Sequence, residues 1–159
     1  MRVGDEARLR TLRLRALTDS PAAFGVAAEQ EAELSASHWA ELTRQSEAGD
    51  HLAIYIAVAG DDWLGMGAGR WHDRERGIAQ LWGMWVDPTA RGLGVGARLV
   101  ADVRGWAAAR GARFLRLGVA TRPGDPTPFY ERLGFVPTGE TRMMRTDPTR
   151  PAHFLVRPV

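Results

Sequence analysis

Apolar residues recur at helical spacing through the first third of the chain, and then the pattern changes to runs of strand character. Leu9, Leu12, Ala16 and Leu17, with arginines between them, predict a helix over 5–17. Ser20-Pro21 breaks it, and a second short helical stretch is expected from Pro21 towards Leu34. Ser35 or Ser37 is placed to cap a third helix through Trp39 and Leu42 to Ala48, closed by Gly49. Residues 51–59 are almost continuously apolar, as in a buried strand. Gly60-Asp61-Asp62 reads as a turn, 63–71 as a second strand hairpinned to the first, and 78–86 as a third strand after a charged turn at 73–77. These three should form an antiparallel meander. Val95, Leu99, Val103 and Trp106 then make the apolar stripe of a helix over 94–110, with Gly111 at a left-handed C-cap. A strand over 114–119 follows, and the intervening helix implies that it runs parallel to the third strand. After a proline-rich loop over 123–126, Thr127 is the expected N-cap and Pro128 the first residue of a short helix ending at Gly134-Phe135. Strands near 141–146 and 154–157 would complete a mixed sheet.

Composition narrows the class without naming a function. The 159 residues, 45% of them hydrophobic, suit one domain over 1–159 with one sizeable core. No apolar run approaches the roughly 18 residues of a membrane span, and no signal-peptide stretch opens the chain, so a cytoplasmic protein without a membrane partner is expected. The absence of cysteine excludes a disulfide framework, a thiolate metal site and a cysteine nucleophile. All 21 basic residues are arginine, and the net charge is only +2. The arginines are scattered, with no basic stripe interleaved with aromatics, so no nucleic-acid partner is expected. His38, His51, His72 and His153 lack metal-ligand spacing, and no metal is expected.

The segment that carries chemistry is Val86-Asp87-Pro88-Thr89-Ala90-Arg91-Gly92-Leu93-Gly94-Val95-Gly96. A strand runs into three alternate glycines, and a helix starts at once. Glycines admit a ligand close to the backbone, and a helix N-terminus offers unpaired N–H donors with partial positive charge. Arg91 adds a guanidinium fork suited to phosphate oxygens. The bland alternative is a tight strand-to-helix turn without a ligand. A dinucleotide site of the Rossmann type fits poorly, since 114–119 offers no acidic residue and the preceding strands read as antiparallel. A triphosphatase phosphate loop is excluded by the lack of Gly-Lys-Ser or Gly-Lys-Thr.

Arg91-Gly92-Leu93-Gly94-Val95-Gly96 resembles the acyl-CoA loop of the GNAT superfamily of N-acetyltransferases, whose pattern is Arg or Gln, two residues, Gly, one residue, Gly or Ala. Met84-Trp85-Val86, Pro88, the ending Phe129-Tyr130-Glu131-Arg132-Leu133-Gly134-Phe135 and the early Pro21-Ala22-Ala23-Phe24-Gly25 fit as well. The resemblance implies an α/β fold with a mixed six- or seven-stranded sheet, helices on both faces and a splayed parallel strand pair. It implies acetyl-CoA as co-substrate, a small-molecule or peptide amine as acceptor, and a homodimer as a reasonable assembly. Carried over to this chain, the backbone of Met84, Trp85 and Val86 would pair with the pantetheine arm. Arg91, Gly92, Leu93, Gly94, Val95, Gly96 and Ala97 would hold the pyrophosphate, and Tyr130 would protonate the departing thiolate. Packing of its helix on the sheet is the other reading of Tyr130. Two departures stand out. Only 1–4 is available for the family's first strand, and Pro123 occupies the place, seven residues before the tyrosine, where many members carry an asparagine.

The strands beside the loop offer Gln80 and Gly118 but no carboxylate to act as base. Glu29, Glu31, Glu33, His72 and Asp73 are candidates, and deprotonation through ordered water is the default. With no Gly-x-Ser-x-Gly elbow and no cysteine, direct attack in a ternary complex is expected over a covalent acyl-enzyme. Trp71, Trp82 and Trp85 should be mostly core, with one or two lining an acceptor pocket for an apolar or aromatic amine. The competing class is a non-catalytic acyl-CoA-binding regulatory domain that keeps the loop without turnover.

Overall fold

Three alternate glycines in Leu64-Gly65-Met66-Gly67-Ala68-Gly69 decide how closely the main helix approaches the sheet. A Cβ on Gly69 would stand 2.7 Å from the Trp106 ring, one on Gly67 2.6 Å from the Met84 sulfur, and one on Gly65 2.9 Å from the Trp85 carbonyl. The computed structural model describes all residues from 1 to 159 and contains helices α1 (Glu6–Asp19), α2 (Ala28–Ala32), α3 (Ala36–Ala48), α4 (Val95–Ala109) and α5 (Thr127–Arg132). Its strands are β1 (Leu52–Ala59), β2 (Asp62–Asp73), β3 (Ile78–Val86), β4 (Phe114–Ala120), β5 (Val136–Met143) and β6 (Pro151–Pro158). They form one mixed sheet in the order β1-β2-β3-β4-β6-β5, in which only β3 and β4 are parallel.

The sheet carries helices on both faces. Val100, Val103, Trp106 and Ala107 of α4 pack with Leu81, Leu115, Leu117 and Leu155 on one side, where Tyr130 and Phe135 join them. Leu9, Leu12, Ala16 and Leu17 of α1 and Trp39 of α3 pack with Ile54, Met66 and Ala68 on the other. Ser35 caps α3 by accepting from His38 N–H, and Gly49 ends it in the left-handed conformation, as the sequence predicts.

Four expectations change. The helical stretch expected from Pro21 towards Leu34 is split into a single tight turn at Pro21–Ala23 and the short α2. Residues 1–4 form no strand, so the sheet has six. The fifth strand spans Val136–Met143 and not 141–146; alternation is broken there because Val136 and Met143 are themselves exposed, and an edge strand bulged between Pro137 and Thr141 buries little. Thr127 is the first residue of α5 and not its N-cap. Asp125 accepts from its N–H at 2.9 Å, while the Thr127 hydroxyl lies 2.7 Å from Nε2 of His153. No helix is long and apolar enough to cross a membrane.

Candidate active site

β3 and β4 pair only through Ile78, Ala79 and Gln80, opposite Phe114, Leu115 and Arg116. Beyond that point β4 stays with β6, and the edge of β3 from Leu81 to Val86 that faces β4 is left unpaired. The divergence follows a bulge. Between the pairs Met66↔Trp85 and Ala68↔Trp82, β2 has one residue and β3 has two, and one of the two is Gly83 at φ +64°. A bulge with glycine in the left-handed region bends its strand and ends regular pairing. The gap is a slot of about 90 Å³ bordered by Gly83, Met84, Leu117, Val119 and Tyr130.

On the α4 side the slot opens into a cavity of about 540 Å³, lined by Met84, Trp85 and Val86 of β3, by the glycine loop and by the start of α4. Arg91, Gly92, Gly94, Val95, Gly96 and Ala97 all border it, so the structure brings together almost every residue singled out from the loop pattern. Leu93 is the exception, with a side chain that is outside the lining and 75% exposed. Gly94 is the N-cap of α4 at φ +82° and provides no side chain to satisfy the first-turn N–H groups. A Cβ on Gly92 or Gly94 would meet nothing within 4 Å, whereas one on Gly96 would press on Phe129 at 3.2 Å. The first two glycines keep the loop open, and the third lets α5 pack on α4.

Arg91 is tied down on its inner side. Its Nε donates to the Val86 carbonyl at 2.9 Å, and its Nη2 donates to Asp19 at the end of α1. Asp19 also accepts from Trp85 Nε1 at 2.9 Å. Hydrogen bonds from Ser20 and then Trp85, with Arg91 adding to them, hold the Asp19 carboxyl at about 2, below its ordinary 3.8. Asp87 repeats the device, accepting from Thr89 N–H and hydroxyl and pairing with Arg15. Arg122 and Arg132 complete the rim, giving a cavity with three guanidiniums and no carboxylate. Neither stands out in the sequence, because nothing in a linear pattern says that their loop and helix turn towards Gly94.

Tyr130 borders both the slot and the larger cavity and is 7% exposed. Burial pushes its phenol well above the ordinary value of 10, so it keeps its proton at neutral pH. Pro123 is exposed and outside the lining, while its neighbours Arg122 and Gly124 border the cavity.

On the opposite face lies a cavity of about 700 Å³ between α1, α2, α3 and the sheet. Trp71 and Trp82 border it, whereas Trp85 is 5% exposed and faces Asp19. Of the candidate bases only Glu31 borders it, and both Glu31 oxygens accept from Arg13, at 2.7 and 2.8 Å. Glu29 and Glu33 are exposed. His72, pushed down by burial and by the Arg116 charge, sits 2.9 Å from Arg116 and outside the cavities described. No three His, Asp or Glu side chains cluster closely enough to hold a metal ion.

A family model described as the acetyltransferase (GNAT) family matches residues 14–135. The chain belongs to the GNAT acetyltransferase family. An uncharacterized N-acetyltransferase of Methanocaldococcus jannaschii is 36% identical over 61 residues, which are 38% of this chain and 27% of that protein. A GNAT-family acetyltransferase of Streptococcus pneumoniae superposes with a TM-score of 0.83 at 19% identity, over 100% of this chain and 96% of that one. The yncA protein of Salmonella typhimurium, solved with its cofactor acetyl-CoA, gives 0.78 at 14% identity over 99% and 90%. An aminoglycoside 6′-N-acetyltransferase complexed with coenzyme A gives 0.72 at 18% identity over 94% and 90%. At such identities these structures establish the GNAT fold for this chain.

Proposed function

We propose that the protein is an acetyl-CoA-dependent N-acetyltransferase that passes the acetyl group directly to an amine in a ternary complex. The observation that carries this reading is the continuous path from the guanidinium-lined glycine loop, through the slot between β3 and β4, past Tyr130. The cavity fits the co-substrate: its open glycines, uncapped helix start and three arginines match a pyrophosphate, and the unpaired edge of β3 matches an amide-bearing arm added like a strand.

When bound, acetyl-CoA supplies an activated thioester. The chain's own groups then have distinct tasks. N–H groups of Val95, Gly96 and Ala97 and the free donors of Arg91, Arg122 and Arg132 hold the phosphates. Met84 to Val86 align the arm in the slot. Tyr130 holds a proton beside the place where the thiolate leaves, as a general acid must. Arg122 takes over the anchoring task left by Pro123, since Asp125 is occupied in starting α5. No free carboxylate borders the acceptor cavity, and its two histidines, His38 and His51, are exposed, so water carries off the amine's proton. That last feature also suits a non-catalytic acyl-CoA-binding domain. Thiol release from acetyl-CoA in the presence of mixed amines decides between them: amine-dependent release supports the enzyme, and tight CoA binding with no release under any amine supports the binding domain.

A further inference from the structure

The acceptor-side cavity has an unusual polar lining. Arg13, Arg70 and Arg145 border it, against a single carboxylate, Glu31, which is already committed to Arg13. An adjoining cavity of about 380 Å³ shares Arg145 and adds Arg142, which is paired with Glu140 at 2.9 Å. Four buried side-chain atoms without a hydrogen-bond partner belong to residues of the larger cavity: Arg13 Nη1 and the indole nitrogens of Trp39, Trp71 and Trp82. All four can only donate. Arg13 is 5% exposed, and a Cβ built on Gly83 would lie 3.8 Å from its Nη1, which places the guanidinium where the cavity meets the slot.

Indole rings also attract cations over their faces, but the protein's own arginines have taken these positions. Arg70 lies over Trp82 at 5.5 Å and Arg74 over Trp71 at 5.2 Å. A polycationic acceptor entering here would meet the guanidiniums of Arg70 and Arg145, which no carboxylate of the cavity balances, and indole faces already covered. An oxyanion would meet donors in need of a partner.

We propose that the acceptor is a small zwitterionic amine of amino-acid type, with an anionic group beside an apolar or aromatic body, and that Arg13 and Arg70 determine this specificity. The proposal rests on the N-acetyltransferase reading. About 700 Å³ holds a molecule of that size. The same positive lining lowers the affinity of a bound ammonium for its proton, which assists attack where no carboxylate serves as base.

The test compares thiol release from acetyl-CoA by the full chain with an aromatic amino acid, its amide, its decarboxylated amine, and a linear polyamine. The amino acid should exceed each of the others by about ten-fold or more in kcat/KM, since only it brings a negatively charged acceptor to the buried donors and guanidiniums. In Arg13→Gln the advantage should shrink. Because that change breaks a buried ion pair, Arg70→Gln, on an exposed side chain, provides a second variant that leaves the core intact, and KM for the amino acid should rise in it while KM for the amide stays. Equal or better turnover of the amide, the amine or the polyamine overturns the proposal and leaves the acetyltransferase reading standing, as does an unchanged preference in every folded variant. No release with any amine overturns the acetyltransferase reading itself, and this proposal with it.

Discussion

The two cavities that flank the splayed strands are built from different material. The one on the α4 side draws its polar groups mainly from backbone: two open glycines, an uncapped helix start and a strand edge, set among apolar side chains such as Phe24 and Phe129, with arginines at its rim. The one on the α1 side is made of side chains from three helices and three strands, with indoles and guanidiniums set among aliphatic residues. Backbone donors serve any ligand with the right phosphate geometry, so the first surface suits a shared co-substrate. Side chains differ from one chain to the next, so the second suits a particular acceptor. Substitution should therefore be severe for every activity in the first cavity and alter only the choice of amine in the second.

The most damaging single change for the backbone side is Gly94→Asp. A side chain at φ +82° is strained by roughly 1–2 kcal/mol. A carboxylate facing a pyrophosphate adds about 3 kcal/mol at an effective dielectric near 20. The strain falls mainly on stability, and the charge repulsion predicts a loss of CoA affinity on the order of a hundred-fold by titration calorimetry. Gly94→Ala, carrying strain alone, should lose much less, and equal affinity of wild type and Gly94→Asp would sink the loop assignment.

Next in size is Tyr130→Phe, which tests whether chemistry sits at the junction. CoA affinity and thermal stability should change little, because one oxygen is lost from a ring held by Phe129 and Phe135. Single-turnover acetylation of a true acceptor should fall about ten- to a thousand-fold, at or below the usual range for a general acid. A wild-type rate would leave Tyr130 as a packing residue.

The same division explains what the sequence revealed. The meander, the long helix and the glycine loop were legible because their signals are contiguous: apolar runs, a 3.6-residue stripe, and Arg91 to Gly96 in one stretch. The residues of the glycine loop are neighbours in the chain as well as in space, and of these Leu93 alone falls outside the lining, whereas Arg122 and Arg132 reach the same cavity from a distant stretch. The acceptor side gathers Arg13, Glu31, Trp39, Trp71 and Trp82 from across the chain, and no local pattern joins them. Of these the sequence suggests Trp71 and Trp82, by their place on adjacent strands, and Glu31, as one of several candidate bases. Glu31 reads from sequence as a free carboxylate, but the partner that occupies it, Arg13, is one helix away. Asp19 was likewise invisible, since its importance depends on Arg91, 72 residues on.

Asp19 joins the two regions, because α1 carries Arg13 towards one cavity and Asp19 towards the other. Asp19→Asn keeps the shape but weakens the hold on Arg91, so CoA affinity should drop by roughly three- to ten-fold, as for one charge-assisted hydrogen bond. The acid dependence has a definite sign. A carboxyl lowered from 3.8 to about 2 on folding contributes stability that is present above 3.8 and lost as pH falls through about 2. Near-ultraviolet circular dichroism of Trp85 should change in that window for the wild type and less for Asp19→Asn. Identical profiles would show that Asp19 does not hold the loop.

The smallest effect should come from Pro123→Asn, which restores a side-chain amide at the position where the GNAT resemblance leads one to expect it. If position in the sequence were what counted, the new amide would reach the arm and tighten CoA binding. In this structure Pro123 is exposed and lies outside the cavity, while Arg122 and Gly124 on either side of it border the lining. An asparagine there would point into water unless the loop turned, and an exposed substitution typically changes stability by no more than about 0.5 kcal/mol. CoA affinity should therefore stay within about two-fold of wild type, whereas Arg122→Gln should lower it several-fold by removing a guanidinium from the rim. A clear gain for Pro123→Asn would mean that the loop turns to present residue 123 to the arm, and a large loss would mean that the proline itself shapes the cavity. Either result would show that this stretch of the backbone-built side depends on a side chain, and would blur the line between the two cavities at Arg122.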